Sequence, residues 1–237
     1  MIISNSWNFV FIHLHKCAGT SVETALSKIL SYNDILIGST KVGEDQQEFF
    51  KRTIGLNKHS GASDVKAFVG EEAWDNFFTF AFVRHPIDRL YSLYNYSRRM
   101  VEPFRHRLDE FDPNDVGTYP KTPPFTFHSV RSVLQSADFN DYVLNECTWR
   151  DPGSARQADS LCENGELILK RVFKVENIDA AWKRISDRFP GIDTLNRLND
   201  SSPEGVVKNP KSLLGKEALS KVLEFYSDDF RIFDYDI

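Results

Sequence analysis

The segment 9–21, F-V-F-I-H-L-H-K-C-A-G-T-S, decides how the rest of this chain is interpreted. Its first four residues, Phe9–Ile12, are aromatic or β-branched, and such a run predicts a short buried strand. Thr20 and Ser21 are typical helix N-cap residues, and the apolar spacing that follows predicts a helix over residues 21–28. The segment therefore predicts a strand, a turn and a helix in direct succession.

A strand, a lysine-containing turn and a helix N-terminus together favour anion binding. Backbone N–H groups of residues 17–21 can donate to phosphate oxygens there, and the helix dipole favours negative charge. Lys16 adds a mobile positive charge. A Walker A loop carries its lysine late, beside a Ser or Thr for magnesium, whereas here the lysine precedes the glycine, Gly19. An ordinary strand-to-helix turn with a solvated lysine is the alternative, since such turns are common in α/β folds.

A second apolar strand is predicted at Phe78–Val83, and it is followed at once by Arg84. Pro86 suits the first turn of a helix, and Asp88 suits its positive end. Ser92 follows Arg84 after a little over two helical turns, so a guanidinium and a hydroxyl could hold a second phosphate. Because ligands of open α/β sheets bind at the carboxyl ends of strands, both segments are expected to converge on one crevice.

The two motifs together resemble the sulfotransferases that use 3′-phosphoadenosine 5′-phosphosulfate (PAPS), in the carbohydrate type related to heparan sulfate 2-O-sulfotransferase. Residues 15–21, H-K-C-A-G-T-S, are similar to the family's 5′-phosphosulfate loop, P-K-T-A-G-T-S. Residues 80–92, F-A-F-V-R-H-P-I-D-R-L-Y-S, are similar to its 3′-phosphate strand and helix, V-R-[DN]-P-x-x-R-h-x-S. His15 stands where the family usually has Pro, and His85 where it has Asp or Asn. Neither position has to contact phosphate through its side chain.

Fainter similarity covers most of the chain. Residues 172–185 resemble the family's late strand and helix, residues 198–202 the loop that closes over the nucleotide, and residues 225–235 the C-terminal signature. The resemblance implies an α/β, three-layer, P-loop-like fold, with a central parallel sheet flanked by helices, in a single domain over residues 1–237. It also implies in-line transfer of a sulfuryl group from PAPS to a hydroxyl acceptor, with the bisphosphate PAP as product.

The resemblance also implies roles for single residues. Lys16 is expected to stabilise the leaving phosphate oxygen. His59 lies in the interval where relatives carry their catalytic base, with a solvent-facing loop histidine as the alternative, and His15 and Glu176 are further candidates for the base. No metal is expected, because positioning and fixed positive charge would suffice. The residues expected to contact the nucleotide are Lys16, Cys17, Ala18, Gly19, Thr20, Ser21, Arg84, Ser92 and Lys208.

Three residues are expected to contact the acceptor, which the resemblance predicts to be a carbohydrate. Arg98 belongs to the densest basic cluster, over residues 94–108, which suits an acidic sugar; a solvated helix face is the alternative. Arg156 and Gln157 occupy a stretch in which relatives carry a glutamine. A proline-rich irregular loop over residues 109–125 is expected to shape acceptor specificity.

The remaining patterns predict ordinary secondary structure. The expected elements are a strand over 34–37, a surface helix over 43–52, a helix over 64–69 capped by Ser63, helical structure over 125–147, a buried strand over 167–175, a helix over 179–189 and a last helix over 217–225.

Composition limits the classes of partner and compartment. The formal charge of -5 over 237 residues argues against nucleic acid as a partner. The sequence has neither a targeting signal nor an apolar run that would span a membrane, and three cysteines without metal spacing predict a reducing, cytoplasmic location. Cys17 is either a reactive thiol at a helix N-terminus or a small loop residue. The sequence predicts no oligomeric state.

Two other functions fit the same motifs. A P-loop nucleotide kinase would share the fold, but it would require a Ser or Thr after the lysine for magnesium and an acidic strand end, where this chain has Arg84. A catalytically inactive nucleotide-binding module of the same fold would need no base.

Overall fold

The structure is a computed structural model that describes residues 1–110, 112, 115–192, 194–196 and 207–237. Within these ranges the chain forms two units. The first comprises Met1–Arg84 and Gln157–Asp200, and the second comprises His85–Arg156 and Ser201–Ile237. The nucleotide-closing loop expected over residues 198–202 lies outside the described residues.

The strands of the described residues all belong to the first unit. They are β1 (Ile2–Ser4), β2 (Phe9–Ile12), β3 (Ile35–Leu36), β4 (Phe78–Val83), β5 (Cys162–Glu163), β6 (Glu166–Leu167) and β7 (Arg171–Lys174).

Five of these strands form the central sheet, in the order β3-β1-β2-β4-β7. Strands β2, β4 and β7 run parallel, and Ile12 of β2 lies opposite Ala81 of β4. Strand β1 is antiparallel to both of its neighbours, β2 and β3. The sheet is therefore mixed and mostly parallel, and the carboxyl ends of β2 and β4 lie at the same edge.

Aromatic side chains fill the core of the first unit. Phe9, Phe11 and Phe80 are at most 1% exposed, and the Phe11 and Phe80 rings lie 5.2 Å apart. Phe189 packs against Phe9 with ring centroids 4.9 Å apart. The alternation of side chains along a strand places these rings on one face of the sheet. The apolar runs that predicted β2 and β4 thus supply the contacts that bury them.

Helices flank the sheet in the first unit and make up the second. In the first unit they are α1 (Gly19–Leu26), α2 (Lys41–Asp45), α3 (Gln47–Ile54), α4 (Ala62–Val69), α5 (Glu71–Asn76), α10 (Gln157–Leu161) and α11 (Ile178–Arg188). In the second unit they are α6 (Pro86–Val101), α7 (His128–Leu134), α8 (Phe139–Leu144), α9 (Glu146–Arg150), α12 (Lys216–Phe225) and α13 (Ser227–Ile232). Among the described residues, no helix combines the length and apolarity that crossing a membrane requires.

The sequence placed several elements correctly. Strands β2 and β4 have the predicted ends, and α6 begins with Pro86 at its first position and Asp88 in its first turn. The predicted strand over 34–37 is β3, and the helix predicted over 179–189 is α11, shifted by one residue. In β2 and β4 a strong local signal coincides with burial.

The predicted starts of two helices were wrong. Helix α1 begins at Gly19, two residues before the predicted start, and its N-cap is Ala18 instead of Thr20 or Ser21. Helix α4 begins at Ala62 after Gly61, so Ser63 lies inside it. In both cases the turn geometry, which uses a glycine or a left-handed residue, overrides the side-chain preference for the cap.

Three further predictions also need correction, and one strand was missed. Strand β1 was not predicted. The strand expected over 167–175 is divided between β6 and β7, and β7 is half-buried because it lies at the sheet edge. Residues 125–147 contain α7, α8 and the start of α9 instead of continuous helix, and α13 follows the helix expected to be last.

The core of the second unit is also rich in aromatic residues. Tyr142 and Tyr226 are fully buried, and Leu90 is 1% exposed. These three residues belong to a cluster that joins α6, α8, α12 and α13. The Tyr226 hydroxyl donates a hydrogen bond to the Ser154 carbonyl at 2.5 Å, so its buried polar end is satisfied.

Candidate active site

The turn between β2 and α1 has an unusual backbone. Lys16 and Ala18 both have left-handed conformations, with φ of 63° and 61°. Two such residues, with only Cys17 between them, are typical of the turns whose backbone N–H groups can form an anion-binding concavity. Left-handed residues other than glycine are strained, and such strain persists where the surrounding structure enforces it.

The surroundings that enforce this turn include His13. A Cβ atom added to Gly19 would lie 2.0 Å from Cδ2 of His13, far inside van der Waals contact. The glycine is therefore required by the close approach of the imidazole ring. This contact also explains why α1 begins at Gly19, where the chain turns over the ring.

His13 is itself buried, with 4% of its surface exposed. Its Nδ1 lies 2.9 Å from Oε1 of the fully buried Glu23, in a close contact without hydrogen-bond alignment. The amine of Met1 contacts the same carboxylate oxygen and donates to the Ile37 carbonyl at 2.8 Å. Burial lowers the pKa of His13 well below its usual value, so the ring is neutral at pH 7.

His59 lies in the turn before α4 and contacts His13, which directly follows β2. Its Nδ1 is 2.9 Å from the His13 carbonyl oxygen. A carbonyl only accepts, so Nδ1 carries the hydrogen and Nε2 keeps its lone pair. Burial first, and then the charges of His15 and Lys58, lower the pKa of His59 to about 3. The ring is therefore neutral at physiological pH.

The two histidine candidates for the base lie together. The rings of His59 and His15 are stacked, with centroids 3.5 Å apart, and His59 meets His13 edge-on at 4.7 Å. The third candidate, Glu176, is exposed in the turn after β7. Within the described part of the chain, no three His, Cys, Asp or Glu side chains are arranged to hold a metal ion.

The turn that carries His59 is held by its own side chains. Asn57 accepts a hydrogen bond from the His59 amide at 2.8 Å, and Ser60 accepts one from the Asn57 amide at 2.9 Å. Lys58 pairs with Glu44 at 2.7 Å. These contacts fix the backbone on both sides of the imidazole and orient the ring toward His15.

Arg84 follows the last residue of β4, at the sheet edge where β2 also ends. Its backbone N–H donates to Oε1 of Gln157, and its carbonyl accepts from Nε2, both at 2.9 Å. The Cys17 thiol lies 3.3 Å from the same Oε1. The structure therefore brings the first motif and Arg84 together through one buried glutamine.

A family model described as "Sulfotransferase family" matches residues 1–236. The chain belongs to the sulfotransferase family. Neither the curated proteins nor the solved structures contain a significant match to it. Family membership supports transfer of a sulfo group in general, and the predicted resemblance is confirmed at that level.

The other predicted site residues belong to the second unit. Ser92 is buried in α6, and Lys208 is exposed. The guanidinium of Arg98 lies 5.5 Å from the Tyr94 ring centre. Arg156 lies 3.9 Å from an Asp228 carboxylate oxygen. Their assignment to a ligand rests on the sequence pattern.

Arg89, the second arginine of the second motif, has a position that its sequence context did not explain. It is 2% exposed, and its guanidinium donates to the Gly153 carbonyl at 2.9 Å and to the Ala155 carbonyl. A buried charge needs such partners, and here carbonyl oxygens supply them. Arg89 thus holds the segment that leads to Arg156.

Sequence reasoning missed His13 and Glu23. The available signal was the alternation of His13 and His15 directly after a buried strand, together with a glutamate on the apolar side of the predicted helix. Glu23 lies beside Val22 in a segment that is otherwise buried. A charged residue in such a segment indicates a buried polar partner.

Proposed function

We propose that this protein transfers a sulfuryl group from PAPS to a hydroxyl of a carbohydrate acceptor, on a P-loop-like sheet. The observation that carries the proposal is the left-handed loop containing Lys16, located at the same sheet edge as Arg84. Two separate positive groups suit a nucleotide that bears phosphate on both the 3′ and the 5′ oxygen of its ribose. ATP has no phosphate at the 3′ position.

The 5′-phosphosulfate would bind the loop of residues 16–21. The left-handed conformations of Lys16 and Ala18 favour a turn whose N–H groups can converge on one anion, and α1 begins there without a side-chain cap or an acidic residue in its first turn. Lys16 and these amides would stabilise the negative charge that grows on the leaving phosphate oxygen.

The 3′-phosphate would bind Arg84. The double hydrogen bond from Gln157 fixes the backbone from which this guanidinium extends. We assign Ser92 and Lys208 as further phosphate contacts on the sequence pattern alone.

His59 would act as the base. The acceptor oxygen forms a bond to sulfur, while the bond from sulfur to the bridging phosphate oxygen breaks and its electron pair stays on phosphate. The acceptor proton passes to Nε2 of His59. This nitrogen holds a lone pair, because the ring hydrogen is on Nδ1, which donates it to the His13 carbonyl oxygen. The products are the sulfated acceptor and PAP.

The acceptor site is assigned to Arg98 and Arg156. Arginine suits the carboxylates and sulfates of acidic sugars. Gln157, which the sequence also predicted as an acceptor contact, is 1% exposed, and both ends of its amide are bonded to Arg84. We therefore assign Gln157 to the support of Arg84 instead of the acceptor.

Calorimetry with PAP, AMP, ADP and ATP tests the nucleotide assignment. We expect PAP to bind more tightly than AMP, and Arg84→Ala to remove most of that difference. Tighter binding of ATP than of PAP, with magnesium dependence, would instead favour the nucleotide kinase.

Turnover tests the reaction itself. Labelled PAPS is incubated with a panel of uronic-acid-containing and neutral glycans, and the label is followed into product. We expect transfer that requires His59, with His128→Gln, at the start of α7, as a control. Tight PAP binding without transfer to any member of a panel that also includes small alcohols and phenols would favour the inactive binding module.

A further inference from the structure

Gln157 gives the backbone of Arg84 the hydrogen-bond partners that a neighbouring strand would otherwise provide. Its Oε1 accepts from the Arg84 N–H, and its Nε2 donates to the Arg84 carbonyl, both at 2.9 Å. The pairing of β4 with β7 ends one residue earlier, at Val83 opposite Lys174. Backbone groups beyond the ladder need other partners, and a side-chain amide is one of the few groups that offers a donor and an acceptor together.

The same amide also reaches the phosphate loop. The Cys17 thiol donates to Oε1 of Gln157 at 3.3 Å, and Cys17 and Gln157 are each 1% exposed. Cys17 directly follows Lys16. A single buried side chain therefore contacts both positive segments of the site.

We propose that Gln157 is a positioning residue that sets the separation between the phosphate loop and Arg84, and thereby selects nucleotides phosphorylated at both the 3′ and the 5′ position. This inference rests on the proposed function. Gln157 does not contact the nucleotide itself. It acts through Arg84, because its two hydrogen bonds fix the peptide units on each side of the residue that carries the guanidinium.

The test is the ratio of the dissociation constants of AMP and PAP, which isolates the contribution of the 3′-phosphate. We expect Gln157→Met to lower this ratio roughly tenfold, since it removes two buried hydrogen bonds that hold Arg84. The affinity for AMP should change by less than about twofold, because the Cys17 thiol can donate instead to the His15 carbonyl, 3.4 Å away, when Oε1 of Gln157 is absent.

A double-mutant cycle with Arg84→Ala shows whether the effect passes through Arg84. If it does, Gln157→Met has no further effect on the ratio once the guanidinium is gone. The matched control is Gln135→Met, since Gln135 is a partly buried glutamine that accepts a hydrogen bond from Asn145 at 3.1 Å. This control should leave the ratio unchanged.

Circular dichroism and thermal unfolding show whether each variant folds. If Gln157→Met does not fold, Gln157→Asn gives the same test, because its shorter amide keeps the site polar and uncharged but does not reach both backbone groups of Arg84. A wild-type protein that binds AMP and PAP equally would overturn the proposed function. A wild-type preference for PAP that a folded Gln157 variant retains would overturn this inference alone.

Discussion

The two helices that follow the two motifs begin in opposite ways. Helix α1 begins after Ala18, which is left-handed, and has neither a side-chain cap nor an acidic residue in its first turn. Helix α6 begins with Pro86 in its first turn and carries Asp88 there. A proline satisfies the geometry of a helix start, and a carboxylate neutralises the positive end of its dipole.

This difference separates a helix start that its own first turn stabilises from one that fits the phosphate site proposed above. The positive end of α6 already has a negative partner within the chain. The positive end of α1 has none in its first turn, and its preceding loop is strained and packed over His13. The helix start with the poorer local cap is therefore the one to which we assign the 5′-phosphosulfate.

The largest effect is expected from Lys16→Ala. Removing one group that stabilises the charge of the leaving oxygen should lower kcat by at least about 10²-fold. Lys28→Ala, at an exposed lysine just beyond α1, is the matched control and should retain activity. Steady-state transfer from labelled PAPS measures both. Equal activity of the two variants would remove α1 from the proposed site.

The next effect concerns the packing beneath the start of α1. A methyl group at Gly19 would meet the His13 ring at 2.0 Å, so Gly19→Ala should lower the free energy of unfolding by roughly 1–3 kcal/mol. At the start of α6, Pro86→Ala should cost less than about 1 kcal/mol, because it mainly frees the unfolded chain. Urea unfolding measures both changes. If Pro86→Ala lowers the free energy of unfolding more than Gly19→Ala does, the proposed difference between the two helix starts is wrong.

The rings beside the α1 loop predict a pH dependence of stability. The pKa of His59 is lowered from 6.5 to about 3, so between these values the unfolded chain binds a proton that the folded chain does not. The free energy of unfolding should then fall as the pH decreases through this window, by up to about 1.4 kcal/mol per pH unit for this group. His59→Gln should reduce that slope. Urea unfolding between about pH 7 and pH 5 measures it.

The control for the pH experiment is His106→Gln, since His106 is exposed in the second unit. It should leave the slope unchanged. Burial also lowers the pKa of His13, so part of the dependence should remain in His59→Gln. A slope that does not change in His59→Gln would mean that this ring is not buried in its neutral form.

The smallest effects come from exchanging the charges of the two helix starts. Asp88→Asn should lower the free energy of unfolding by about 0.3–1 kcal/mol and leave PAP affinity unchanged. Thr20→Asp adds a carboxylate to α1 and should weaken PAP binding by roughly fivefold. Thr20→Asn, which has no charge, corrects for the lost hydroxyl. If Thr20→Asn weakens binding as much as Thr20→Asp does, charge at this helix start does not matter.

The sequence was a good guide wherever one strong local signal was sufficient. The runs that form β2 and β4 are almost wholly apolar, and α6 has a proline and an aspartate in its first turn. It was a poor guide at the start of α1. There Thr20 and Ser21 are the better N-cap residues by type, and the helix nevertheless begins before them.

The candidate site shows the same contrast between features that depend on adjacent residues and features that depend on distant ones. The loop of residues 15–21 and Arg84 were predicted from adjacent sequence, because an anion site at a strand end is built from consecutive residues. The support of that site was not predicted. Gln157 was assigned to the acceptor, although its buried amide is bonded to the backbone of Arg84, 73 residues earlier in the chain.

The sequence alone determined the order of strand, loop and helix, and the two positive segments, because those features follow from neighbouring residues and their periodicity. The tertiary structure decided which polar side chains are buried: His13 beneath Gly19, His59 against His15, and Gln157 between Cys17 and Arg84. The physical reason is that burial and hydrogen-bond partners at long sequence separation come from packing, which no local pattern encodes.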